Sequence, residues 1–145
     1  MEQHNYQINV EWNADRVGTL SASEINVAFP VATPPEFAGG VPGIWSPEHL
    51  YTASIASCFM TTFLAIAELS KLPFKSFSCN ATGVLEKVDG KFMMTKVILN
   101  PTVVIEQDKD TERASRILQK SESACLITNS VKSAVTMTPT ILVHS

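Results

Sequence analysis

From Leu50 to Ala67 the chain carries no charged side chain, and no other feature of its 145 residues restricts the fold as strongly. The run is introduced by Ser46-Pro47-Glu48. A hydroxyl at the N-cap, proline at the first helical position and a carboxylate on the positive end of the dipole together predict a helix start. Apolar side chains (Leu50, Tyr51, Ile55, Phe59, Met60, Phe63, Leu64, Ile66) fall on every face, the pattern of a central helix surrounded by protein. Its length approaches the ~20 residues that cross a bilayer. Thr52, Ser54, Ser57, Thr61 and Thr62 put hydroxyls along it, however, and no second span accompanies it, so the expectation is a core helix and no membrane.

Strand-like sequence flanks this helix. Gln7 to Trp12, Gly18 to Ala22 and Ile25 to Phe29 are short runs with β-formers, separated by Asn13-Ala14-Asp15 and Ser23-Glu24. Between Pro30 and Ile44 four prolines and three glycines exclude regular structure, so a loop leads into the helix. Beyond Leu72-Pro73 come two long β-runs, Phe77 to Val88 and Phe92 to Ile105, joined by Asp89-Gly90 as a hairpin turn. Asp108 to Ala124 returns to helical spacing, with Ala114, Ile117, Leu118 and Ser121 on one stripe. Ser133 to Val143 closes the chain as a strand. The order βββαββαβ is α+β and mainly antiparallel, and 145 residues suit a single domain.

Composition narrows the partners. A net charge of -3, with 11 scattered basic residues, argues against nucleic acid, because neutralising phosphates needs clustered Lys and Arg. Small molecules are the expected partners. The polar start, Met1 to Trp12, lacks the basic and apolar regions of a secretory leader, which predicts a reducing, cytoplasmic location and free thiols. Cys58, Cys79 and Cys125 share no CxxC spacing and stand apart from His4, His49 and His144, so no metal site and no cofactor are expected.

Taken singly, each cysteine reads as packing: Cys58 among the apolar neighbours of the first helix, Cys125 at the end of the second, Cys79 inward on an alternating strand. Cys79 is assigned no chemistry. If the two helices pack together, Cys58 and Cys125 meet, and two cytosolic thiols that meet are poised for reversible oxidation.

Two motifs raise that possibility to a specific reading. Ser46-Pro47-Glu48-His49-Leu50-Tyr51-Thr52-Ala53 through Ala56-Ser57-Cys58-Phe59 resembles the helix motif of the OsmC/Ohr family, a Pro-Glu-x-Leu opening with a cysteine ten residues after the glutamate. Ala124-Cys125 followed by Thr128-Asn129-Ser130 is similar to the family's second-cysteine segment, although Leu126 stands where proline is common. The order of elements also matches, so the resemblance covers nearly all of residues 1–145 as one OsmC-like domain. It implies an intertwined homodimer and a peroxidase in which Cys58 attacks an organic hydroperoxide and Cys125 resolves it as a disulfide. It further implies that Glu48 and Arg16, the only arginine in the first 112 residues, poise the attacking thiol, and that a dithiol such as dihydrolipoamide restores it.

The chemistry agrees with that assignment. A thiol with pKa near ~8.5 is barely ionised at neutral pH and burial raises it further, so a cation is expected to offset burial. Arg16 would do this and also meet the leaving oxygen, with Glu48 as its anchor. Ten helical residues place Glu48 and Cys58 roughly 15 Å apart on different sides, so a second subunit is expected to complete the site. Phe59, Phe63, Met60 and the Pro34-Pro35-Glu36-Phe37 loop are expected to favour an organic substrate. Two other readings stay open: a non-catalytic binder of a small molecule or lipid on the same fold, and a dithiol–disulfide oxidoreductase, against which the absence of CxxC counts.

Overall fold

In the computed structural model, which describes residues 2–145, three antiparallel strands come first: β1 (Asn9–Ala14), β2 (Val17–Ala22) and β3 (Ile25–Ala32). Met1, at the head of the polar start, lies outside the described residues. Asp15, in the left-handed region at φ 51°, turns β1 into β2. Strand alternation sorts the side chains onto two faces. Val10 opposite Leu20, and Leu20 opposite Phe29, place Ile8, Val10, Trp12, Ile25 and Val27 on one apolar face. These five are all more than half exposed. The proline- and glycine-rich segment that follows is irregular but fixed. Val41 N–H donates to Thr33 O at 2.9 Å, Ala32 N–H donates to Trp45 O at 2.8 Å, and a Cβ at Gly40 would overlap Pro34 O.

This first compact unit ends at Leu50, just inside helix α1 (Pro47–Leu69); the second comprises Tyr51–Ser145. Ser46 caps the helix as the sequence predicts, accepting the His49 N–H at 3.2 Å, and its hydroxyl also bonds His49 Nδ1 at 2.7 Å. At the other end Leu72 N–H donates to Ala67 O and Lys71 N–H to Glu68 O, a Schellman closure with Lys71 at φ 55°. Arg113 adds donors to the Ser70 and Lys71 carbonyls at 3.4 and 3.3 Å.

In the second unit β4 (Ser76–Val88) and β5 (Lys91–Ile105) form the long hairpin, turned by Asp89 and Gly90 at φ 50° and 80°. A bulge at Thr95 separates the pairs Val84–Lys96 and Leu85–Met94. After a 3-10 turn at Asp108–Asp110 comes α2 (Thr111–Ala124), which starts three residues later than the sequence suggests. Its buried stripe, Ala114, Ile117, Leu118 and Ser121, is the expected one.

The closing strand differs from expectation. It is split into β6 (Ala134–Met137) and β7 (Thr140–Val143), and both run parallel to β5. Because Leu99 pairs with Met137 and Thr102 with Thr140, Pro101 faces Pro139 at the break. Neither has an N–H to give the ladder. The parallel direction follows from the helical crossover through α2. The order remains α+β.

Core packing joins α1, β5 and α2. Ile55, Phe59, Phe63 and Ala67, spaced by four, form one buried stripe against Val97, Leu99, Val103, Ile105, Ala114 and Leu118. Phe63 stacks on Phe77 at 4.8 Å. By length and composition alone α1 could cross a membrane, yet this stripe is sequestered within the unit. Its other faces are not enclosed. Met60, Leu64 and Leu69 are exposed.

Candidate functional site

Cys58 lies at mid-length in α1, and Cys125 is the first residue past α2. The chain leaves α2 because Cys125 adopts an extended conformation, φ -65° and ψ 116°. A 3-10 turn at Thr128–Ser130 follows, held by Asn129 N–H donating to Cys125 O at 3.0 Å and by the Asn129 side chain on Ser123 O at 3.2 Å. This fold-back brings Cys125 near enough to Cys58 for the two thiols to act on each other's ionisation within the second unit. Both are free thiols, Cys125 fully buried and Cys58 partly accessible.

The surroundings of the two sulfurs are unequal. Burial pushes the Cys58 thiol up, but donors outweigh it: the Cys125 S–H, the Ile127 N–H, the Thr62 hydroxyl at 4.0 Å and the Leu126 N–H. Cys58 is thereby held below the ordinary thiol value. Cys125 is pushed above it, first by burial and then by its bond to Cys58 and that neighbour's charge, against the opposing Thr128 hydroxyl. One proton is thus shared unequally, and Cys58 is the sulfur that ionises first.

The expected cation is not what lowers Cys58 within this unit. The donors are neutral, and two of them belong to the backbone. Arg16 and Glu48 both fall in the first unit. Arg16 is exposed at the β1–β2 turn and lays its stem over Gly39, where a Cβ would come within 3.0 Å of its Cγ. Glu48 occupies the first turn of α1, half-buried, with Oε1 shielded from solvent. The same unit carries an open hollow lined by Gly43, Ile44, Trp45 and His49.

Phe59 and Phe63 cannot line a substrate pocket beside Cys58, contrary to expectation, because both are fully buried in the core. One and five residues on from Cys58, they turn about 100° and 140° away from it around the helix. Met60 is exposed. Cys79 points inward opposite Pro101, and burial raises its thiol, as expected of a packing cysteine. Thr62, Thr128 and the backbone of Leu126 and Ile127 escaped the sequence reading. The i,i+4 spacing of Cys58 and Thr62 was a usable signal, whereas backbone donors leave none.

Residues 40–140 match the family model described as OsmC-like protein. The chain is 31% identical to peroxiredoxin OsmC of Escherichia coli over 93 residues, 63% of this chain and 64% of that protein. It is 26% identical to YmaD of Bacillus subtilis over 140 residues, 93% and 91% of the two chains. Its fold is that of an organic hydroperoxide resistance protein OsmC from Legionella pneumophila, with a TM-score of 0.76 at 19% identity, covering 99% of this chain and 100% of that one.

Proposed function

This chain belongs to the OsmC-like family, and from that premise we propose that it is a cysteine-based peroxidase that reduces organic hydroperoxides to alcohols. The observation that carries the reading is the contact between two free thiols of opposite tendency, the accessible one easier to ionise and the buried one harder. The names of its relatives, a peroxiredoxin and an organic hydroperoxide resistance protein, supply the substrate class.

The Cys58 thiolate attacks one oxygen of the hydroperoxide; the S–O bond forms, the O–O bond breaks, and the alkoxide leaves, taking a proton to become the alcohol. Cys58 is left as a sulfenic acid, which a further peroxide would oxidise irreversibly. Cys125, already beside it, attacks that sulfur, so an S–S bond forms and the displaced hydroxide leaves as water. A small dithiol such as dihydrolipoamide then returns two electrons by exchange and is itself oxidised. A cytoplasmic, reducing location goes with this cycle, since it keeps the pair as thiols between turnovers.

The same reading gives Arg16 and Glu48 the poising of the attacking thiol and the leaving oxygen, with a second copy of the chain completing the site. The exposed apolar face of β1–β3 and the exposed Met60 and Leu64 of α1 support a homodimer, because patches of this kind are rarely left in water. Sedimentation should find a dimer, and a fully active monomer would remove this part of the proposal.

Consumption of cumene hydroperoxide with a dithiol donor tests the whole. The parent should turn over, Cys58→Ser should not, and Cys125→Ser should stop after a few cycles with Cys58 overoxidised. Equal rates in all three would refute the mechanism.

A further inference from the structure

We infer that Thr62 is a further catalytic residue of the Cys58 site, its hydroxyl turned onto the reacting sulfur and obliged to donate once that sulfur is ionised. The word catalytic rests on the peroxidase reading, whereas the observable is the reactivity of one sulfur. Thr62 follows Cys58 by four residues in α1, which stacks the two side chains on one face, and its Oγ1 lies 4.0 Å from Cys58 Sγ, within reach of a hydrogen bond to sulfur. Nothing in the helix itself forces this contact. A helical threonine divides between two rotamers because its hydroxyl can close on a carbonyl three or four residues back. Ser54, Ser57 and Thr61 all do so, on Tyr51 O at 2.7 Å, Ser54 O at 3.3 Å and Cys58 O at 3.0 Å. Two adjacent threonines thus take different atoms of one residue, Thr61 the carbonyl of Cys58 and Thr62 its sulfur. Thr62 is half-buried, which limits competition from water, while Cys58 stays partly accessible to a reactant.

The direction of the bond depends on the state of the sulfur. Against a neutral thiol either atom can donate, and sulfur is a weak partner both ways. A thiolate has no proton left, so the Thr62 O–H must be the donor, and a hydrogen bond to an ion is roughly twice as strong as a neutral one. The hydroxyl therefore favours the attacking state over the resting thiol, in the same sense as the lowered Cys58 thiol. Of the titratable groups facing this stretch, the Cys125 thiol acts on Cys58 from the segment after α2. On α1 itself, Leu50 to Ala67 carries no charged side chain, and the phenol of Tyr51 is bonded to Ser133 Oγ at 2.6 Å.

The test is the pH profile of Cys58 alkylation by iodoacetamide in the reduced protein, read by peptide mass spectrometry. Thr62→Val keeps the shape and removes the hydroxyl. Below the ordinary thiol value it should react about three- to tenfold more slowly, with its profile moved about half a unit to one unit to higher pH and its high-pH plateau retained, as for one donor lost to an ion. Thr62→Ala should do the same, and decides the matter if the valine variant does not fold. Thr62→Ser should restore the parent profile. Thr61→Val, which removes the neighbouring hydroxyl from the Cys58 carbonyl, should match the parent throughout. Parent-like profiles in both Thr62 variants that lack the hydroxyl would overturn the inference, as would a loss equal at every pH, the mark of altered access to the sulfur. Absence of hydroperoxide turnover in the parent, with the alkylation difference intact, would instead refute only the peroxidase reading.

Discussion

Cys58 and Cys125 act on each other's ionisation, and with burial and their other neighbours this leaves the Cys58 thiol below its ordinary value and the Cys125 thiol above it. With the proton kept on Cys125, its S–H can serve the Cys58 thiolate as a donor, whereas the reverse arrangement would leave the charge on the fully buried sulfur. Removing the donor should therefore blunt the acceptor. In Cys125→Ala the Cys58 thiol should rise, and its alkylation at neutral pH should slow by roughly threefold to tenfold, the range for losing one weak donor to an ion. Unchanged alkylation would show that the backbone donors suffice without it.

The same pair predicts how stability depends on pH. The Cys58 thiol is depressed below its ordinary value of 9.0, so its contribution is complete above that value and lost as pH falls through the folded one. The Cys125 thiol is raised above 9.0, so its contribution is complete below that value and lost as pH rises through the folded one. Urea unfolding of the reduced protein should show these two slopes of opposite sign flanking pH 9.0. The Cys58→Ser/Cys125→Ser double variant should lack both.

Gly83 on β4 leaves room for α1. A Cβ there would overlap Thr52 Oγ1 and sit 2.8 Å from Met94 Cε. Gly83→Ala should cost about 1–3 kcal/mol by overpacking. In a Thr52→Ala background the cost should shrink, and a double-mutant cycle measures the coupling; strictly additive losses would contradict the close approach.

Ser46 is fully buried at the start of α1, where its hydroxyl satisfies the His49 N–H and bonds the His49 ring. Ser46→Ala should destabilise the protein by about 1–2 kcal/mol in denaturant unfolding, and Ser46→Thr should restore much of it. A neutral effect of the alanine would mean that another group caps the helix.

Much of this protein was set locally and could be read from the chain. Ser46-Pro47-Glu48 marks a helix start, Asp89-Gly90 a hairpin turn, and Ala114, Ile117, Leu118 and Ser121 a buried stripe. Each of these depends on neighbours within a few residues, where propensity, capping and periodicity act directly. That Cys58 and Cys125 could meet was an expectation from the packing of the two helices and from the family resemblance, and in the structure the two thiols act on each other's ionisation.

What the chain alone did not reveal depends on partners distant in sequence. The facing of Pro101 and Pro139 splits the closing strand, and that facing exists only once β5 and the last segment are in register. Which side of α1 is core was equally invisible, because a helix apolar all round looks the same from every side until something packs on it. Phe59 and Phe63 were expected beside the substrate and went into the core. The neighbours of Cys58 were hidden for a further reason: Leu126 and Ile127 come near it only through the fold-back that follows Cys125.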